Sequence, residues 1–477
     1  MSNKKNKDSS IRSHEMLILT YIFTALFLGL IGYLMYYQIC VSDDVINSPY
    51  NRKRQEILAE RVVRGEIKSS DGEVLAYTSV DDDGNETREY PYKNMFAHVV
   101  GYSKNGGSGL EAYNNVRLLR SNIFFGSRLV NDLNETKNPG DTIVSTLDYK
   151  IQKTAYEAMG DYEGAVIVMD TDTGKILSMV SKPDFNPENI ESMWESLTSE
   201  DSKETVLLNR ATQGLYPPGS TFKIITALEF MRENSDYNSY SYNCTGKYTN
   251  GEDTINCYHS TVHGEVDLKS SFSHSCNASF VNIGMQLNRK KLKNLCNDFL
   301  INHDITIGVA SKASRYTADK DTSNYKMMQT VIGQGDTVVT PLQMAMIADA
   351  IANKGKMMQP YLVDHIESDT GNVIKKFNSK VIAQPLSEEE SEEMTKLMEA
   401  VVDEGTATKL DTDAYNVAGK TGSAEFGNEK GHSHAWFVGF TTGDDSIVVC
   451  VMLEDAGSGG ASAAPVAKKI FDSYYLD

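Results

Sequence analysis

The chain has 477 residues, more than one typical hydrophobic core organises, so two folded units are expected. Its 46 basic and 65 acidic residues leave a net charge of −19, which repels a polyanion and argues against nucleic acid as a partner. Six cysteines in a chain of this length do not describe a small disulfide-stapled scaffold.

Residues 1–15 form a short polar tail carrying Lys4, Lys5, Lys7 and Arg12. Residues 16–39 then run almost wholly apolar and without a charge, long enough to cross a hydrocarbon core of about 30 Å. A cleaved secretory signal has a shorter apolar core and a small-residue cleavage site; the following QICVSDD offers none, so the segment is expected to stay as an anchor. Basic residues before the span and Asp43 and Asp44 after it favour a cytoplasmic N-terminus, although Arg52, Lys53 and Arg54 blunt the asymmetry.

Residues 40–147 are expected to form a modest, non-catalytic unit. RGEIKSSDGEVLA, from Arg64 to Ala76, predicts two short strands around an Asp71-Gly72 turn, and DDDGNETRE an exposed tip. From 148 to 477 a second unit opens with a helix over 149–159 and a hairpin, GAVIVMD and KILSMV, about a TDTG turn. Helices are expected over 221–231, 268–287, 341–353 and 388–403, the last with a Ser387/Glu390 capping box. Three strand-like runs begin near Lys420, His434 and Ser446 and precede a final helix, PVAKKIFDSYY. Strands, helices, then strands describe an α+β domain whose antiparallel sheet both ends of the segment complete.

Of the cysteines, Cys40 lies at the anchor end, and Cys276 and Cys296 fall in helical patterns. Only Cys244 and Cys257, flanking the turn-rich TGKYTNGEDTIN, invite pairing; a bridge and two unpaired loop thiols are equally open. His432 and His434 lack a third ligand, so no metal is assigned. His274 beside Ser273 and Ser275 lacks a nucleophile-elbow context and reads as structural.

The stretch YPPGSTFK places Ser220 and Lys223 three apart where a proline-glycine segment becomes an apolar helix, so the two share one face. A serine hydroxyl needs a base, and a lysine serves as one when burial keeps it neutral. Ser275-Cys276-Asn277 lies within the next helical region and Lys420-Thr421-Gly422 starts a strand. Each short motif alone is weak. Their order gives three elements that could line one cleft.

With these motifs the sequence resembles the penicillin-binding proteins of the monofunctional class B type, the serine D,D-transpeptidases that crosslink peptidoglycan. The resemblance extends over FAHVVGY, SGLEAYNN, LLNRATQGLYPPGSTFK, HGEVDLKSSFSHSCNASF, IGQGDTVVTPLQMA, GTATKL and VAGKTGSAEF. It implies the penicillin-binding transpeptidase fold on a small α+β pedestal, with one N-terminal transmembrane helix, a short pedestal and no accessory module after the final helix. It implies that Ser220 attacks a D-alanyl-D-alanine stem peptide, Lys223 accepts its proton, and Ser275 relays one toward the leaving amine. Asn277 would hold the substrate amide, Lys420 and Thr421 the terminal carboxylate, and Gly422 would allow close approach. The backbone N–H groups of Ser220 and Ser423 would form the oxyanion hole. No cofactor is implied. The expected partners are stem peptides, β-lactams, the bacterial membrane and a polytopic glycan-strand polymerase, with the catalytic unit outside the cytoplasm.

A β-lactamase and a β-lactam sensor share this constellation. A lactamase needs a base for deacylating water, and none is placed between Asn277 and Lys420; a sensor would be expected to carry several spans.

Overall fold

The structure, a computed structural model, describes residues 2–38, 52–199, 205–426, 432–443 and 445–476. Ile39, Cys40, Asp43 and Asp44, on which the end and flank of the expected span were read, lie outside the described residues. Helix α1 (Ser2–Tyr36) contains the apolar stretch Met16–Tyr36, which at 1.5 Å per residue is about 31 Å long. Its large side chains are exposed on every face, as in Leu19, Phe23, Phe27 and Leu30. Thr20 and Thr24 donate to the carbonyls of Met16 and Thr20 at 2.8 Å, so these hydroxyls are satisfied within the helix.

Strands β1 (Ile67–Lys68), β2 (Val74–Val80), β3 (Glu86–Glu89) and β4 (Thr142–Ser145) form the pedestal sheet. The hairpin expected around Asp71-Gly72 is present, with Ile67 opposite Ala76. Beneath it sits a buried ion cluster. Glu111 accepts from Arg64 Nε at 2.6 Å and from Arg88 Nε at 2.7 Å, and Arg88 also donates to Gly65 O at 2.7 Å.

The chain continues through α2 (Tyr149–Met159), capped by Asp148, into β5 (Gly164–Asp170) and β6 (Ile176–Lys182). Next come α3 (Lys223–Glu233), α4 (Leu268–Ser273), α5 (Asn277–Gln286) and α6 (Pro341–Ala352). The continuous helix expected over 268–287 is broken into α4 and α5 at Ser275, whose φ of +57° no α-helix accommodates. Strands β7 (Val363–Glu367) and β8 (Val373–Lys376) return to the pedestal sheet, giving the order β8-β7-β4-β1-β2-β3. The sheet begun by the N-terminal segment is therefore finished by a hairpin more than 200 residues later. No local pattern announces a pairing at that separation.

Helix α7 (Glu388–Asp403) carries the expected capping box. Strands β9 (Asn416–Glu425), β10 (Ser433–Thr442) and β11 (Ile447–Leu453) and helix α8 (Ala463–Tyr475) close the chain. The second sheet is antiparallel in the order β9-β10-β11-β5-β6. Every residue of β11 is buried, which requires cover on both faces: α6 packs on β10, β11 and β5, while α2 and α8 pack on each other and on β6 and β11. Strand β9 is left at the edge, where the site forms.

Candidate active site

Pro217 and Pro218 lead into a single 3-10 turn, Gly219–Phe222, that runs directly into α3. In a 3-10 turn residues three apart eclipse, so Ser220 and Lys223 project from the same side. Gly219 has φ +55°, and a Cβ there would meet Ser423 O at 3.0 Å and Ala424 Cβ at 3.1 Å. The turn is thus pressed against β9. From behind, Gly333 O accepts from Gly219 N at 2.8 Å, and a Cβ on Gly333, at φ +74°, would lie 2.0 Å from Gly219 O. Trp436 Nε1 donates to Pro217 O at 3.1 Å and Thr221 Oγ1 to Pro218 O at 2.8 Å, which fix the approach of the turn.

Lys223 is wholly buried. Its Nζ donates to Ser275 O and Asn277 Oδ1, each at 2.8 Å, and lies 3.2 Å from Ser275 Oγ. The first two partners are acceptors only. A neutral amine would satisfy both with its two N–H groups and keep its lone pair for a hydroxyl proton. Burial pushes the Lys223 pKa from 10.5 down to about 7, with Cys276 and Cys257 opposing the fall. The sequence also expected Lys420 to depress Lys223; the neighbouring-charge effect falls instead on Lys420. Burial first, and then Lys223, hold Lys420 well below its ordinary value.

Ser275 sits at the break between α4 and α5. Asn277 opens α5, and its Nδ2 donates to Asn256 O at 3.0 Å, so one of its two N–H bonds remains for an incoming carbonyl. Cys276 is the N-cap of α5, accepting from Ser279 N, rather than a residue inside a helix. The Sγ atoms of Cys244 and Cys257 are 3.7 Å apart and unbonded.

On β9, Lys420 is buried with its Nζ 5.5 Å from the centre of the Phe272 ring and 3.1 Å from Thr421 O. Thr421 shares a hydrogen bond with Thr406, whose N–H donates to Ser273 O at 3.2 Å. Thr406 therefore joins the Lys-Thr-Gly strand to α4. A Cβ on Gly422 would be 3.1 Å from Pro218 O and from Thr221 Cγ2. Ser423 follows, its Oγ accepting from Gly459 N at 3.3 Å.

All three sequence motifs meet at one edge of the sheet. Sequence reasoning assigned no part to Thr406 or Gly333, although both lie in stretches that carry the resemblance, GTATKL and IGQGDTVVTPLQMA. The signal available for Gly333 was a glycine pair beside apolar runs, which marks close backbone approach without naming its partner. His274, the C-cap of α4, is exposed, and its ring lies within hydrogen-bond distance of Ser273 Oγ and Ser270 O.

A buried lysine eclipsing a serine, joined to a second serine and an asparagine beside an edge strand, is the arrangement of an acylating serine transferase. The family comparisons agree with that class. Residues 164–472, more than half of the chain, match the penicillin binding protein transpeptidase domain, and residues 64–143 match the penicillin binding protein A dimerisation domain. The chain belongs to the penicillin-binding protein transpeptidase family. It is 30% identical over 466 residues to the peptidoglycan D,D-transpeptidase PbpA of Mycolicibacterium smegmatis, covering 90% of this chain and 92% of that one. Among solved structures, the D,D-transpeptidase domain of a peptidoglycan glycosyltransferase from Eggerthella lenta superposes with a TM-score of 0.78 at 30% identity, covering 87% of this chain and 98% of that one. A ceftriaxone acyl-enzyme complex of penicillin-binding protein A from M. tuberculosis gives a TM-score of 0.80 at 26% identity, covering 88% and 100%.

Proposed function

We infer that the protein is a peptidoglycan D,D-transpeptidase whose nucleophile is Ser220, and that β-lactams acylate the same serine. The observation that carries the residue assignment is the Lys223 amine, buried, lowered to about 7 and placed at the start of α3, three residues after Ser220 in the 3-10 turn that leads into it. Lys223 Nζ takes the Ser220 proton as Oγ bonds to the carbonyl carbon of the penultimate D-alanine. The backbone N–H groups of Ser220 and Ser423 stabilise the resulting oxyanion. As the C–N bond breaks, the proton passes through Ser275 to the leaving D-alanine amine, and an acyl-enzyme ester remains. An amine from a second strand then attacks the ester and gives up a proton to Lys223, which returns it to Ser220 Oγ as the C–O bond breaks, restoring the serine hydroxyl and the neutral amine.

Strand β9 lies at the sheet edge, so an extended stem peptide pairs with it by strand addition, while the remaining Asn277 N–H holds the substrate amide. Lys420 regains a proton as the terminal carboxylate arrives, because an adjacent anion reverses the effect of burial, and Thr421 donates beside it. Residues 40–147 serve as a non-catalytic pedestal for the unit over 148–477. The apolar helix Met16–Tyr36 holds the protein in the membrane with its N-terminus inside and the catalytic unit outside, beside a polytopic glycan-strand polymerase. The chemistry of crosslinking newly made strands calls for that partner.

The test is covalent labelling of the full chain with a fluorescent penicillin. Wild type should be labelled, release the label over minutes or longer, and transfer a D-Ala-D-Ala thioester analogue to an added D-amino acid. Ser220→Ala should lose the label and keep its melting temperature. Labelling that survives this substitution moves the nucleophile elsewhere, and turnover of many penicillins per second makes the protein a lactamase. Protease added to intact protoplasts should digest everything beyond the span; a protected C-terminal epitope overturns the orientation.

A further inference from the structure

Between α3 and α5 the chain makes two small strand pairs that lie outside both large sheets. In one, Lys247–Asn250 pairs with Asp253–Asn256, which brings Cys244 and Cys257 to its base. In the other, Tyr242–Cys244 pairs with Gly264–Val266, placing Gly264 opposite Cys244 and His263 beside it. The N-cap of α5 then supplies Cys276. Four donor atoms converge: Cys244 Sγ is 3.7 Å from Cys257 Sγ and 3.5 Å from His263 Nδ1, and Cys257 Sγ is 3.8 Å from Cys276 Sγ. All four lie within 4.8 Å of one another. The three sulfurs are buried and His263 is half-buried.

A disulfide does not account for this arrangement. Its sulfurs would stand about 2.05 Å apart, and any pairing strands the third cysteine. A tetrahedral zinc site does account for it. Zinc–sulfur bonds of about 2.3 Å and a zinc–nitrogen bond of about 2.0 Å make edges of about 3.7 Å between sulfurs and about 3.5 Å between sulfur and nitrogen. Each sulfur also receives one backbone N–H: Gly246 N to Cys244 at 3.4 Å, Ala278 N to Cys257 at 3.5 Å, and Ser279 N to Cys276 at 3.4 Å. Such donors orient thiolates and favour them over thiols, as the outer shell of a metal site does.

We propose that Cys244, Cys257, His263 and Cys276 form a closed structural zinc(II) site that holds the Ser275-Cys276-Asn277 segment in place beside Lys223. Three S–H protons leave for solvent as the thiolates and the neutral imidazole bind, and four protein ligands leave the ion no open position. The ion acts through position. Cys276 lies between Ser275 and Asn277, and Cys257 follows Asn256, whose carbonyl accepts from Asn277 Nδ2 at 3.0 Å. The ion therefore ties both sides of Asn277 to one point and holds Ser275 at its left-handed φ, where Lys223 Nζ reaches both residues. The four cysteine and histidine side chains are positioning residues. This last step rests on the transpeptidase reading; the metal site itself does not.

The experiment starts with the full chain purified in detergent without added metal or chelator. Elemental analysis should give one zinc per chain, and cobalt(II) exchanged for it should show the intense visible bands and thiolate charge-transfer absorption of a tetrahedral sulfur-rich site. Cys257→Ser and His263→Ala should lower zinc content at least tenfold. His263→Cys, which offers four thiolates, should retain it, as should the control Cys450→Ala. Chelation should slow penicillin acylation about tenfold in its limiting rate, and zinc added back should restore that rate. Metal-free protein that binds no added zinc, or a Cys244–Cys257 disulfide in the protein as isolated, overturns the site. Full zinc with an acylation rate insensitive to its removal overturns the positioning role. Zinc bound by a chain that no penicillin labels keeps the site and removes the transpeptidase reading.

Discussion

The protein buries charge in two places and treats it oppositely. In the pedestal, Glu111 is enclosed between Arg64 and Arg88, and the guanidinium groups are further held by Glu111 O and Gly65 O at 2.7 Å each. In the cleft, Lys223 and Lys420 are buried with only neutral oxygens as hydrogen-bond partners among the described residues. Burial alone would raise the Glu111 pKa; the two guanidiniums more than reverse it, so the carboxylate stays ionised. Nothing comparable supports the lysines, and burial drives both down. Paired charge fixes a fold. Unpaired charge yields an amine near neutrality, which is what the proposed role of Ser220 requires.

Substitution separates the two clusters most sharply at Lys223. Lys223→Ala should slow penicillin acylation roughly 10²–10⁴-fold, the range for a lost general base, and combining it with Ser220→Ala should add nothing. Lys223→Arg should not rescue the rate, because a guanidinium does not deprotonate. Stopped-flow acylation of the detergent-solubilised chain measures both. If the arginine variant retains the rate, the lysine is not the base.

Glu111→Ala should act on the other side of the comparison. Removing the shared carboxylate leaves two buried cations unpaired and should cost about 3–5 kcal/mol. Calorimetry should show an earlier pedestal transition, with the acylation rate per folded molecule changed less than twofold. A large rate loss in folded protein would mean that the pedestal cluster reaches the cleft.

The pH dependences should also differ in direction. The acylation rate should fall about tenfold per unit as pH drops below about 7 and level off above, since the neutral amine is the active form. Across the window from about 7 to 10.5 the unfolded chain holds a Lys223 proton that the folded chain lacks, so this group makes stability rise with pH. Glu111, lowered on folding, contributes stability that is complete above its ordinary 4.5 and is lost as pH falls through its folded value. A rate profile flat from pH 6 to 9 would remove Lys223 from the proton path.

The smallest effect belongs to exposed charge. Lys326 and Asp336 pair at 2.8 Å with both side chains about 60% exposed. Lys326→Ala should move the melting temperature by no more than about a degree and leave acylation unchanged. A larger shift would show that exposure is a poor guide to what an ion pair contributes here.

Much of this protein was legible before its structure. Apolar length marked the Met16–Tyr36 helix, alternation and turn residues marked β5, β6 and β9–β11, and Ser387 with Glu390 marked the start of α7. These are local signals, carried by neighbours in sequence. The serine and lysine of YPPGSTFK were likewise readable, because a spacing of three across a helical start fixes their relation. What could not be read depended on long-range pairing. The helix expected over 268–287 breaks at Ser275, where Lys223 Nζ, from a different helix, binds Ser275 O and Asn277 Oδ1. The strands at 363–376 join the pedestal sheet, Thr406 reaches Thr421, and Gly333 braces Gly219, none of which leaves a periodic trace. The cysteines make the same point: two flank one loop, and a third, expected inside a helix but found at the N-cap of α5, completes their cluster with His263. Sequence determined which elements form and which residue types are available for chemistry, since both follow from local conformational and solvation preferences. Tertiary structure alone decided which charges would be buried without a counter-ion, because burial depends on what distant segments bring to cover them.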